Sequence, residues 1–293
     1  MSNRASARSQ SSAPRVEVEE PGRRAVRRPP SRHGPIAQLL MSLSPLSLIL
    51  VVYAVADWVS APLSGGSGTN RLGAVLHVDG PARADTWVFG AVPTVWLQAR
   101  LVDGSAHWWD AVAALVYATH FVAIPLLTAF VWFRLRHRFV AWLVAVLTMS
   151  VVGIAGYVAY PAAPPWLASD QGRIGDVERI STIGWDVLHL GLLGDLTRTG
   201  QTGSNPVAAM PSLHAGAALL VALFLWPSVS RAVRAALAAY VLAMGVVLVY
   251  TGEHYVVDVV AGWLVAAVAI TAAARAGAVV ASRRVAREAP PPA

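Results

Sequence analysis

Residues 205–227 read "NPVAAMPSLHAGAALLVALFLWP". A polar run gives way there to a strongly apolar one, and the change falls at Pro211-Ser212-Leu213-His214. As one continuous helix, 209–227 has the length needed to cross a hydrocarbon layer about 30 Å thick at 1.5 Å per residue. Proline suits the first turn of a helix, where its missing N–H would be unpaired anyway. Ser212 and Leu213 are then expected to present free amides, and the helix dipole adds partial positive charge beside them. A helix start of this kind receives phosphate readily. His214 would stand next to that anion site. A histidine in the first turn of a membrane helix is costly unless something uses it, although the same residue also fits a structural role, bonded to a neighbouring helix.

Working outward, five more apolar stretches of comparable length occupy 36–59, 107–133, 139–160, 235–252 and 255–274. The chain of 293 residues is 56% hydrophobic and only 13% charged, where a soluble domain carries about 25% charge. The pattern predicts an all-α polytopic membrane protein, a six-helix bundle. The expected organisation is a disordered basic tail at 1–35, a membrane catalytic domain at 36–277 and a second tail at 278–293. The first 35 residues lack the short apolar core of a signal peptide.

Every one of the 23 basic residues is arginine, and cysteine is absent. The first fact suggests a GC-rich bacterial genome; the second excludes disulfides and thiolate metal sites. A sequence pI near 10.5 raises the question of nucleic acid, but the arginines are placed as an orientation signal. They crowd the N-terminal tail, the connectors holding Arg134, Arg136, Arg138, Arg231 and Arg234, and the end of the chain from Arg275 onward. Positive connectors face the cytoplasm, so both termini are expected there, in a plasma membrane, with no nucleic-acid partner. Arg71, Arg83, Arg100, Arg173, Arg179 and Arg198 fall on the other side, with most of the acids.

That orientation puts two long connectors, about 60–106 and 161–208, outside, and function concentrates on long connectors held by a rigid scaffold. The first contains "TWVFGAVPTVWLQARLV" (86–102), whose Trp87 and Trp96 suit the outer membrane interface, as does "HWWD" (107–110) at the start of the second span.

The fifth and sixth spans meet in "VVLVYTGEHYVVDVVAG" (246–262). Gly252 breaks one helix, Thr251 can cap the next, and His254 is expected to open the sixth span. Asp258 follows at i+4 on the same face. There it can accept the Nδ1–H of His254, leaving Nε2 as an outward lone pair. This makes a nucleophile with an orienting carboxylate, and His214, at the same depth, is a second imidazole for acid–base work. A structural His–Asp pair tying helices together is the plainer alternative. Small residues, Ala215 to Ala218 in one helix and Ala261-Gly262 in the other, would let the two helices approach. His120, in mid-span, either bonds across the bundle or extends the polar site. His189 and Asp186 lie in the outer connector, within reach of a headgroup but not favoured as site residues.

These residues resemble the type 2 phosphatidic acid phosphatase superfamily of six-helix membrane enzymes. "PSLH" and "HYVVD", about 40 residues apart, are similar to its second and third signature motifs. With "YPAAPPWLA" (160–168), they look most like the inositol phosphorylceramide synthase (inositolphosphotransferase) branch. The resemblance covers about 107–270. It implies metal-free, cofactor-free phosphoryl transfer on a phosphorylated lipid: His254 attacks phosphorus to form a phosphohistidine, Asp258 orients it, and His214 protonates the leaving oxygen and then activates water or an alcohol. The chain departs from the wider superfamily in lacking lysine, in carrying Tyr160 before Pro161, and in having Leu248 where the third motif has arginine. Charge developing on phosphorus needs donors, and Arg173, Arg179 and Arg198 are the candidates in the second connector. Arg179, in "DVERIS" (176–181), is favoured because that branch keeps an Arg-Ile pair here; Asn205 and the amides of Ser212 and Leu213 would complete the cradle. Two other classes remain open on residues alone: a metallohydrolase with His214, His254 and Asp258 as ligands, and a transporter or lipid-binding scaffold.

Overall fold

The structure, a computed structural model, describes residues 34–64 and 66–288. The basic tail expected at 1–35 lies almost wholly outside them. The described residues form helices without strands. In chain order they are α1 (Pro35–Ser64), α2 (Asp79–Phe89), α3 (Pro93–Leu101), α4 (Trp108–Arg134), α5 (Phe139–Ala159), α6 (Pro165–Asp170), α7 (Gly184–Val187), α8 (Gly191–Thr202), α9 (Leu213–Leu225), α10 (Arg231–Tyr250) and α11 (Val256–Glu288).

Five helices are long and apolar enough to cross a membrane: α1, α4, α5, α10 and α11. The sixth expected span is shorter than anticipated. α9 has 13 residues and gains only a 3-10 turn at Trp226–Ser228. The reason lies in the chain before it. Ala162 pairs with both His77 and Ala208 in isolated parallel bridges, and the Ala209 amide donates to the Ala162 carbonyl (3.3 Å). Residues 208 and 209 are thereby held alongside Ala162, the chain bends at 210 and 211, and the helix begins only after Ser212. At the other end, α11 runs as helix to Glu288, through most of the segment expected as a tail at 278–293.

The core pairs polar side chains between helices, as a lipid-embedded bundle requires. Fully buried Trp142 on α5 donates its indole N–H to Thr128 on α4 (2.8 Å), among Val131, Leu220, Phe224 and Ala266. A second cluster, with Tyr117, Ala215, Met244, Leu248 and Val259, joins α4, α9, α10 and α11. Leu248, at the position of the missing arginine, belongs to this core. Caps fix the helix starts: His107 and Asp110 form a reciprocal box on α4, and Ser230 accepts from the Val233 amide on α10 (3.4 Å).

The alternating helix directions separate two ends. One carries Arg136 over Trp132 (4.1 Å), Arg138 over Phe224 (4.2 Å) and Arg234 over Trp226 (5.8 Å). The other carries the starts of α9 and α11, and the short helices α2, α3 and α6 to α8 gather there. Among these, α2 has a structural task. Buried Asp85 accepts the amides of Val256 (2.9 Å) and Val257 (3.0 Å), capping α11 from 171 residues away. Burial raises the pKa of Asp85 above the ordinary carboxylate value, and the two amide bonds oppose that shift.

Candidate active site

α10 ends at Tyr250, and Gly252 turns the chain with φ +78, in the left-handed region that suits glycine. A side chain there would also meet the Glu178 carbonyl at 2.6 Å. The amides of Glu253 and His254 then fold back onto the Leu248 carbonyl (3.1 and 3.2 Å). His254 consequently sits in the turn, two residues before α11, rather than opening that helix.

Its ring points toward α9. His254 Nε2 stands 3.5 Å from His214 Nδ1, with ring centroids 5.5 Å apart. The two imidazoles meet because α9 and α11 approach through small residues. A methyl group built on Gly262 would overlap the Ser212 carbonyl, and one on Gly216 would lie 2.9 Å from the Gly262 carbonyl. The Ser212 amide donates to the main-chain carbonyl of Asp258 (2.9 Å), joining the two helix starts.

Asp258 is fully buried below His254. The separation His254 Nδ1 to Asp258 Oδ2 is 3.7 Å, beyond hydrogen-bond range, so the expected Nδ1–H bond is not formed. The reason is local: Oδ2 accepts the Tyr255 amide (2.9 Å) and caps the start of α11. His254 Nδ1 and Asp258 Oδ1 have no hydrogen-bond partner among the described residues.

A cavity of about 810 Å³ opens onto the two histidines. His120 lines it and extends the polar site, its ring 3.9 Å from that of His214 and its Nδ1 2.7 Å from the Tyr117 carbonyl. Tyr117 stacks on His214 at 5.5 Å. Arg179 lines the cavity as well. Its Nε donates to Glu253 Oε1 (3.0 Å) and its Nη2 to Oε2 (2.9 Å). Glu253 Oε1 accepts also from Ser181 Oγ (2.6 Å) and Gln201 Nε2 (3.0 Å). Arg179 lies over the Trp166 ring (5.2 Å), with Nη1 outside the carboxylate fork. The strand of connector bearing it is pinned by Gln98, which accepts the Glu178 amide (2.9 Å) and donates to the Glu178 and Tyr250 carbonyls (2.9 and 2.8 Å).

The other expected anion contacts divide. Asn205 lines the cavity, with Oδ1 accepting the Val207 amide (3.1 Å). Leu213 lines it through its side chain, which packs over Gly153. Ser212 cannot offer an amide to an anion, since that amide is bonded to Asp258 and its hydroxyl caps Ala215 (3.3 Å). Arg173 lies outside this cavity, paired with Asp79. Arg198, exposed on α8, pairs with Asp195 (3.4 Å) and does not line it. Among the described residues, no group of three His, Cys, Asp or Glu side chains is arranged to hold a metal ion. Glu253 and Gln201 escaped the sequence reading. The acid directly before His254 in an apolar run was a usable signal; Gln201 carried none.

The arrangement sets an imidazole lone pair, a second imidazole and a guanidinium around one amphipathic chamber, which suits chemistry on an anionic ester. Comparison with known proteins agrees. A family model described as the PAP2 superfamily matches residues 82–272. A phosphoinositol dihydroceramide synthase of Bacteroides thetaiotaomicron is 25% identical over 244 residues, covering 78% of this chain and 74% of the relative. The inositol phosphorylceramide synthase catalytic subunit aur1 of Schizosaccharomyces pombe is 32% identical over 130 residues, 40% of this chain and 28% of the relative. No solved structure matches.

Proposed function

The chain belongs to the PAP2 superfamily, and on that ground we propose that it transfers a phosphoinositol-type headgroup between lipids through a phosphohistidine at His254. It is a membrane enzyme, a phosphoric-ester hydrolase or phosphotransferase acting on lipids. The observation that carries the finer reading is the 3.5 Å approach of His254 Nε2 to His214 Nδ1 at the cavity.

In the first step the His254 Nε2 lone pair bonds to phosphorus as the ester bond to the lipid alcohol breaks. His214 gives its proton to that departing oxygen. In the second step the acceptor hydroxyl gives its proton to His214, its oxygen bonds to phosphorus, and the P–N bond breaks. The buried carboxylate of Asp258 balances the positive charge that builds on the His254 ring. Arg179 directs its remaining N–H groups at the phosphoryl oxygens, where charge develops. A reacting phosphorus needs about 3–3.5 Å from the attacking nitrogen on its own account. The two rings therefore part when substrate enters.

Support for an alcohol acceptor comes from the chamber. A volume of about 810 Å³ is that of a site for a sizeable ligand rather than for water alone. Glu253, Gln201 and Asn205 give it a wall of hydrogen-bonding groups suited to polyol hydroxyls, while Phe121, Ile124 and Ala217 give it an apolar one. The relatives' names carry the same suggestion, with a ceramide-type lipid as acceptor. We place the site outside the cytoplasm, in the plasma membrane of a GC-rich bacterium, with α9 completing six crossings within one domain at 36–277.

The test offers purified protein a panel of lipid phosphates, phosphatidylinositol among them, with and without a ceramide, and identifies products by chromatography. A new headgroup lipid is expected. Release of the free headgroup phosphate instead would make the enzyme a phosphatase. No turnover of any lipid by folded protein would overturn the reading. With radiolabelled headgroup, the protein is expected to retain acid-labile label after rapid quench, and His254→Ala to retain none.

A further inference from the structure

A second concavity lies at the same end of the bundle, apart from the catalytic chamber and sharing none of its lining residues. It has a volume of about 610 Å³ and is formed by α2, α3 and the chain around Arg173. Three guanidinium groups, on Arg83, Arg100 and Arg173, line it against the single carboxylate of Asp79. Arg173 is committed to that carboxylate, donating from Nε (2.8 Å) and Nη2. This bonding holds the Asp79 pKa below its ordinary value, with Arg83 close enough to add to the shift. One carboxylate thus answers one arginine, and among the described residues Arg83 and Arg100 form no ion pair. Arg100 is held in place, its Nη1 donating to the Trp96 carbonyl (2.9 Å) and its guanidinium stacked 4.2 Å over the Trp96 ring.

The helices that form this basic pocket carry an exposed apolar rim: Trp96 lines the pocket, and Trp87, Val88 and Phe89 follow the lining residue Thr86 at the end of α2. Trp87 is 87% exposed, and Val88, Phe89 and Trp96 are each at least half exposed. Large apolar side chains beside arginines, turned away from the protein, are the composition of a segment lying in a membrane interface. The opposite face of α2 is fixed, because Asp85 holds the amides of Val256 and Val257. The apolar rim and the arginines are therefore presented on a rigid mount.

We propose that the pocket between α2 and α3 binds the phosphate of an anionic phospholipid from the leaflet at the His254 end, with Trp87, Val88 and Phe89 inserted among its acyl chains. The unpaired arginines favour a headgroup of net negative charge over a zwitterionic one, whose ammonium they repel. The apolar rim selects a lipid over phosphate free in solution. This is a binding site outside the reaction chamber, and it stands whether the chemistry there is hydrolysis or transfer.

The test uses full-length protein in phosphatidylcholine nanodiscs doped with photoreactive phosphatidylglycerol, with adducts mapped by peptide mass spectrometry. Adducts are expected on 79–100, competed by unlabelled phosphatidylglycerol and not by inorganic phosphate. The double variant Arg83→Ala/Arg100→Ala is expected to lose about tenfold or more of that labelling, since each interfacial arginine contributes a several-fold factor. Arg83→Lys/Arg100→Lys should recover most of it. Equal labelling by photoreactive phosphatidylcholine would overturn the proposal. So would labelling that persists in the alanine variant, or competition by inorganic phosphate.

Discussion

Arg179 and Glu253 show how much a single charge pair carries here. The fork between them satisfies a carboxylate that is only 6% exposed, and it aims the guanidinium at the space beside His254. Removing one partner strands the other. Arg179→Ala is expected to lower kcat by about 10²–10³-fold, the usual cost of a transition-state donor, and also to lower Tm. Adding Glu253→Gln should restore Tm without restoring turnover, because the neutral amide tolerates the loss of the guanidinium but brings no positive charge to the phosphoryl oxygens. Unchanged turnover in Arg179→Ala would remove that residue from the site. At this scale the sequence was informative where chemistry is local. The i, i+4 spacing of His254 and Asp258 and the Pro-Ser-Leu-His run could be read directly. The partners of Glu253 could not, since Ser181, Arg179 and Gln201 stand 72, 74 and 52 residues away.

The helices record a similar division. Long apolar runs mark α1, α4, α5, α10 and α11 because a span of that length has few other uses. α9 was overestimated because its first residues are equally apolar whether helical or bonded to Ala162. The short helices of the connectors lack a long apolar run and so carry no spanning signal. Two substitutions probe how elements position the site. Gly262→Ala drives a methyl group into the Ser212 carbonyl, and overpacking of this kind costs about 1–3 kcal/mol. Tm should fall, and kcat more steeply than KM rises, because the displaced α9 takes His214 with it. Asp85→Ala leaves the half-buried Val256 and Val257 amides without their cap, at about 1 kcal/mol, the typical cost of a lost helix cap. A lowered Tm with partial recovery in Asp85→Asn is expected; an unchanged Tm would mean that the cap contributes nothing.

For the whole molecule, orientation is the property that the arginines predict and that labelling can measure. The chain has no cysteine, so single cysteines report cleanly. In intact cells a membrane-impermeant maleimide should label Arg198→Cys, and should reach Arg231→Cys only after permeabilisation; the reverse pattern would put the chamber in the cytoplasm. Activity that persists in strong chelator is expected from the histidine chemistry, and its loss would revive a metal-dependent hydrolase. One feature of the bundle bears on its motion as well as its shape. The amide of Ser212 is bonded to the carbonyl of Asp258, and Gly262 admits no gap between the two helix starts. The imidazoles hang from a welded main-chain frame. On the proposed chemistry, a berth for phosphorus is then made by turning the two imidazole side chains, not by sliding one helix along the other.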